Sequence, residues 1–181
     1  MGRWTQAVAA IALAGASLWW SWRWSGPDGV AFAVVVVWAP MLAVGAISQL
    51  APIRLPARWY ELRPFERDGR LYERLGVRAA KRVARRGPIA AFNPDLHLPR
   101  EPTGDGVRHL ERRMRDAESS HVVVFLAVVL VTVHAVVKGW WTAAIVSTVA
   151  NLAMNGAPVA LQRYNRALLR RRFPEEPAER P

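Results

Sequence analysis

Cysteine is absent from the 181-residue chain. That excludes a disulfide scaffold, a thiolate nucleophile and a cysteine-held metal. Positive charge is missing from long stretches. No Lys or Arg falls between Trp4 and Trp22 or between Gly29 and Ile53, and Lys138 is the only one from Val122 to Leu161. Yet the formal net charge is +11 and 52% of the residues are apolar. Charge and apolar runs are therefore segregated, and the near-zero mean hydropathy averages two unlike materials. This pattern excludes an ordinary soluble fold, a disordered chain and a secreted disulfide-rich domain. It predicts an all-α integral membrane protein of one domain's length.

A helix needs roughly 20 mainly apolar residues to cross the hydrocarbon core, and four runs are expected to do so. The first is Trp4 to Trp22, with Trp19, Trp20, Trp22 and Trp24 as an aromatic belt. Its apolar run continues past the small residues Ala14 to Ser17, which suits an anchor better than a cleaved signal. After a turn over Ser25 to Gly29, Val30 to Leu50 forms the second span, with a kink expected at Pro40. His121 to Val137 is the third, closed by Lys138, Gly139, Trp140 and Trp141, and Thr142 to Leu161 the fourth. The expected organisation is a transmembrane hairpin over 1–53, a basic interfacial helical segment over 54–118, a second transmembrane hairpin over 119–173 and a disordered tail over 174–181.

Most Arg and Lys lie between Arg54 and Arg115, and Arg163, Arg166, Arg170, Arg171 and Arg172 add to them. Only Arg23 and Lys138 fall on the other side. The positive-inside rule then predicts a multi-pass inner-membrane protein with both termini and the middle segment cytoplasmic. Within that segment, Leu71, Leu75, Ala79 and Val83 recur at helical spacing among Arg70, Arg74, Arg78, Lys81, Arg82 and Arg85. A basic amphipathic helix lying on anionic headgroups is expected, ended by Gly87-Pro88. Pro94, Pro99, Pro102 and Gly104 predict an irregular stretch, with Asn93-Pro94-Asp95 as a turn. A further helix from Asp105, with Val107, Leu110, Met114 and Ala117 on one face, is expected to run into the third span without a break. No nucleic-acid module is present, so nucleic acid is not an expected partner.

Gly-rich phosphate loops, GxSxG, HExxH and His-rich metal clusters are all missing. No His is followed by Asp at the HxxxxD spacing of soluble-type glycerolipid acyltransferases. What is present is a set of polar residues at the expected membrane edge. Glu118 and His121 are three apart and share a helix face. A carboxylate beside an imidazole raises its basicity and fixes its tautomer, as a general base acting on a hydroxyl requires. The plainer alternative pairs Glu118 with an arginine and leaves His121 at the interface. Asn151, Asn155 and Gln162 are spaced as one helical stripe that Arg166 continues, and Pro158 loosens the helix there. Amides inside a span serve either helix–helix hydrogen bonding or a binding site. The arginines and amides of Gln162-Arg163-Tyr164-Asn165-Arg166 can hold a phosphate, a carboxylate or a sugar. His134 lies about 220° round the helix from His121, while His97 and His109 have no clear partner in the sequence.

Two sequence patterns carry a resemblance. The first is Leu55-Pro56 through Tyr60, Arg63, Phe65-Glu66, Gly69, Tyr72-Glu73 and Leu75-Gly76-Val77. The second is Glu118 with His121, followed by Gln162 to Arg166. Together, over about Leu55 to Arg170, they resemble the glycosyl-4,4'-diaponeurosporenoate acyltransferases of staphyloxanthin-type carotenoid synthesis, which are small bacterial membrane proteins.

The resemblance implies transfer of a fatty acyl group from a thioester donor to a hydroxyl of a glycolipid or glycosylated isoprenoid. The donor expected is acyl-CoA or acyl carrier protein, with no tightly bound cofactor and no metal. On this reading His121, oriented by Glu118, removes the hydroxyl proton, and Asn155 and Gln162 hydrogen-bond the oxyanion or the sugar. Arg163 and Arg166, with Arg63, hold a phosphate or headgroup. Asn151, Glu66, Tyr164 and Asn165 complete the expected substrate site. Without cysteine, direct transfer is expected rather than a thioester intermediate on the enzyme. Anionic bilayer lipids and a lipid substrate are the expected partners, and self-association is compatible with the sequence. Two rival classes are an enzyme acting on an isoprenoid diphosphate and a non-catalytic lipid-binding or assembly protein.

Overall fold

Long aliphatic runs fold as helices because each backbone polar group is then satisfied within its own segment. The computed structural model describes residues 2–84 and 104–174, and its regular secondary structure there is entirely helical. Helix α1 spans Arg3–Ser25 and α2 spans Val30–Ser48, which continues through Pro40 as one helix. Short elements follow: α3 over Ala57–Tyr60, a 3-10 turn over Pro64–Glu66, α4 over Arg70–Arg74 and α5 over Val77–Ala84. Helix α6 runs unbroken over Gly104–Val137, as the sequence predicts. Helix α7, Trp141–Asn151, passes through a wide π turn, Leu152–Gly156, into α8, Ala157–Arg172.

Among the described residues three helical runs, not the expected four, are long and apolar enough to cross a membrane: Val30–Ser48, Gly104–Val137 and Trp141–Arg172. Helix α1 has the length but not the apolar content, because its tryptophans, serines and Gly15 dilute the aliphatic run. The single amphipathic helix expected from Leu71 to Val83 is two helices. Gly76 adopts φ +79°, a conformation that only glycine takes up without strain, and breaks the run. Leu75 is consequently exposed, and Tyr72 and Val77 are buried in its place. The expected Gly87-Pro88 stop, the proline-rich stretch, His97 and the tail beyond Pro174 lie outside the described residues.

The chain divides into two compact units, Met1–Ile53 with Ser119–Pro158 and Arg54–Glu118 with Val159–Pro181. In the first, α1 packs on α2 and α2 on α7. Ala33, Ala135, Ala143 and Ala144 form one buried cluster, small enough for the helices to approach closely. Val36, Val37, Val124 and Val128 form another. Trp22 stacks edge-on against Phe32 and Trp140, with ring centroids 5.1 and 5.6 Å apart. In the second unit, Tyr72, Val77, Leu161 and Tyr164 make one core, and Val107, Leu110, Met114 and Leu169 the other.

The first turn of α7 borrows its cap from the α1–α2 turn. Asp28 Oδ1 accepts the Ala143 amide proton at 2.8 Å, and a carboxylate there also meets the positive end of the helix dipole. Asp28→Ala should lower stability by about 1 kcal/mol, while Asp28→Asn, whose amide oxygen still accepts, should recover most of it. Thermal unfolding in detergent measures both, and an unchanged midpoint for Asp28→Ala counts against this cap.

Candidate functional site

The wide turn between α7 and α8 has a local cause. Residue 158 is proline, which lacks the N–H that an α-helix directs to residue 154. The backbone widens just ahead of it, and Ala157 N–H donates to Leu152 O, five residues back. Asn155 lies in this turn and is fully buried. Its Oδ1 lies 3.1 Å from His121 Nδ1, and its Nδ2 donates to Asn151 Oδ1 at 2.9 Å. Asn151 Nδ2 in turn donates to the Phe125 carbonyl at 3.0 Å. His121 itself is half-buried, so its ring is not sealed from a ligand.

A second polar cluster lies within the other unit. Arg163, on α8, directs its guanidinium at two carboxylates. Its Nη2 donates to Glu66 Oε2 at 2.8 Å and its Nε to Glu66 Oε1 at 3.0 Å. Its Nη1 donates to Glu118 Oε1 and to the Trp59 carbonyl, at 3.0 and 2.9 Å. Arg166, fully buried, gives Nη2 to Glu118 Oε2 at 2.5 Å and Nη1 to the Tyr60 carbonyl at 2.7 Å. Trp59 Nε1 adds a further bond to Glu118 Oε1. Tyr72 donates its hydroxyl proton to Glu66 and accepts from Arg163 Nε. Next to these, Tyr164 donates to Glu73 and Lys81 to Asn165. Gly69, at φ +74°, sits so close to the Tyr164 ring that a Cβ there would lie 3.2 Å from it.

The sequence expectation that Glu118 orients His121 gives way to a different arrangement. Both carboxylate oxygens of Glu118 accept from Arg163, Arg166 and Trp59, and the hydrogen-bond partner of the His121 ring is Asn155. A buried carboxylate gains more from two guanidinium forks than from a neutral imidazole. Of the stripe read on the last span, Asn151 and Asn155 bond to each other, and Arg166 serves the arginine–carboxylate cluster. Gln162 is half-buried, and Arg63 is exposed with its main-chain amide bonded to Glu66. Neither side chain has a hydrogen-bond partner among the described residues. His109 is exposed, and exposed His134 stacks on Trp140 at 5.5 Å. Tyr72, Trp59 and the Tyr60 and Phe125 carbonyls were not singled out as site groups. Trp59, Tyr60 and Tyr72 all lie within the first sequence pattern, but main-chain acceptors leave no side-chain signal in a sequence. Among the described residues, no group of three metal-ligating side chains occurs.

Burial alone would push the Glu66 carboxyl up. Hydrogen bonds from Arg163, Tyr72 and the Arg63 amide outweigh it and hold the group at about 2, against an ordinary 4.5. Burial and the Glu66 carboxylate push Tyr72 up to about 12, with Arg163 opposing in part. The folded protein thus binds fewer protons at Glu66 than the unfolded chain does between pH 4.5 and 2. Stability from this ionised group is full above that window and is lost as pH falls through it. Glu66→Gln should flatten this acid limb and, by leaving Arg163 short of a partner, cost roughly 3 kcal/mol at neutral pH. Detergent-phase unfolding across the window tests both effects; a wild-type acid limb in the variant contradicts the assignment.

Residues 56–173 match the family model described as glycosyl-4,4'-diaponeurosporenoate acyltransferase, CrtO. No curated protein and no solved structure is significantly similar to the chain. The match runs from the start of α3 through α8 and takes in both polar clusters. It also bears out the resemblance carried by the sequence motifs. On a match covering more than half of its length, this chain belongs to the glycosyl-4,4'-diaponeurosporenoate acyltransferase family and is an acyltransferase of the carotenoid-biosynthesis type.

Proposed function

We propose that the protein transfers a fatty acyl group from acyl-CoA or acyl carrier protein to a sugar hydroxyl of a glycosylated isoprenoid or related glycolipid. The observation that carries this reading is the family match over 56–173, which includes His121 and its amide partners. In the proposed step the acceptor oxygen attacks the thioester carbonyl while His121 takes the hydroxyl proton. The C–S bond then breaks, the proton passes from the imidazolium to the departing thiolate, and the products are an ester and a free thiol. No tightly bound cofactor or metal is required.

Gln162, with its unpartnered amide, is proposed to hydrogen-bond a polar group of the lipid acceptor. Arg63, exposed and unpartnered among the described residues, is proposed to meet an anionic group of the donor or of a headgroup. Arg163 and Arg166 bind internal carboxylates and carbonyls, so the phosphate or headgroup expected of them is not assigned to them. The reading places the chemistry at the cytoplasmic leaflet of the inner membrane, with both termini and the basic segment cytoplasmic, on the charge bias of the sequence. Anionic lipids are the proposed surroundings of that segment.

The test is mass spectrometry of lipids from membranes supplied with a labelled acyl thioester and a glycosylated isoprenoid acceptor. Wild type should yield an acceptor heavier by the labelled acyl group. His121→Gln should lose about 10²-fold or more of that product at unchanged protein level. Full product from His121→Gln removes this residue from the chemistry, and no product from wild type overturns the acyl-transfer reading on these substrates.

A further inference from the structure

General-base chemistry needs a particular ring nitrogen to be free, and an imidazole in two tautomers presents it only part of the time. The chain of hydrogen bonds from Phe125 to His121 has a fixed direction that can be read from one end. The Phe125 carbonyl can only accept, so the Asn151 group facing it at 3.0 Å must be its NH2. Asn151 Oδ1 then faces Asn155, whose own NH2 must be the group that meets it at 2.9 Å. That leaves Asn155 Oδ1 towards His121 Nδ1 at 3.1 Å. An amide oxygen only accepts, so Nδ1 must carry the proton. Turning either amide over would place oxygen against oxygen or NH2 against NH2 in a buried setting, where Asn151 and Asn155 are 2% and 0% exposed.

We infer that Asn151 and Asn155 are positioning residues that lock His121 in its Nδ1–H tautomer and thereby keep Nε2 as the free base. The inference rests on the proposed role of His121 as the base, and it deepens that role by naming the reactive atom and what sets it. Two neutral amides perform the task that a carboxylate performs in many catalytic His pairs, and they do so without placing a charge inside an apolar helix bundle, where it would be costly. The π turn contributes because Asn155 belongs to it.

The experiment is a long-range proton–nitrogen correlation on purified protein carrying 15N-labelled histidine, above the pH at which the ring titrates. The His121 signal is assigned by its loss in His121→Gln. Wild type should show Nδ1 protonated and Nε2 bare. Asn155→Leu removes the acceptor, and should bring in the Nε2–H form and lower kcat about 10²-fold with KM little changed. Asn151→Leu frees Asn155 to turn over and should give a mixture of tautomers. An Nε2–H ring in the wild type overturns the inference, even if His121→Gln is inactive. An Nδ1–H ring that persists in Asn155→Leu overturns it as well. Full activity of His121→Gln removes the base role itself, whichever tautomer is observed.

Discussion

The guanidinium of Arg163 is the interaction on which one half of the molecule depends. A carboxylate taken out of water costs several kcal/mol unless charge and hydrogen bonds replace its hydration. Glu66 and Glu118 are both buried, and both meet Arg163 within 3.0 Å. The same group reaches the Trp59 and Glu61 carbonyls and the Tyr72 hydroxyl. Residues from α3, the 3-10 turn, α4, α6 and α8 therefore converge on a single planar fork. Lysine, a point charge with three rotating donors, cannot reproduce that geometry. Arg166 completes the arrangement from one turn further along α8 by taking the second oxygen of Glu118.

This assigns different physical tasks to residues that stand close in sequence. Glu118 and His121 are one helical turn apart on α6, yet the first is bound by cations and the indole of Trp59, and the second by a neutral amide. An ion-paired carboxylate anchors; a half-buried imidazole with one nitrogen engaged can exchange a proton. The pentapeptide Gln162 to Arg166 divides similarly. Arg163, Tyr164, Asn165 and Arg166 bind groups of the protein, while Gln162 does not among the described residues. The two quoted motifs thus fit each other: Glu66 and Tyr72 meet Arg163, and Gly69 and Glu73 meet Tyr164.

Much of the fold was legible because apolar transfer energy sums over a whole helix, so α2, α6 and the α7–α8 run stand out in the sequence. Helix α1 was legible as a helix but not as a lesser candidate for crossing, because its tryptophans read equally as a belt and as a dilution of the aliphatic run. The 71, 75, 79, 83 periodicity predicted one helix and overlooked Gly76, whose single positive φ outweighs it. The site was legible as a set of residues. Its pairings were not, since Arg163 and Glu66 are separated by 97 positions and only tertiary folding brings them together. Spacing favoured Glu118 as the partner of His121 because local sequence records helix faces but not competing guanidinium groups. Pro158 announced a loosened helix, but not that the wide turn would contain the His121 partner.

The central claim is that Glu118 anchors the fold while the chemistry belongs to His121. The measurement that tests it most directly is the thermal midpoint and the turnover per folded molecule of purified Glu118→Gln. The account predicts a clearly lowered midpoint, from two guanidinium groups left short of charge, with turnover per folded molecule within a few-fold of wild type. A wild-type midpoint with turnover abolished would contradict it and return Glu118 to the reacting groups.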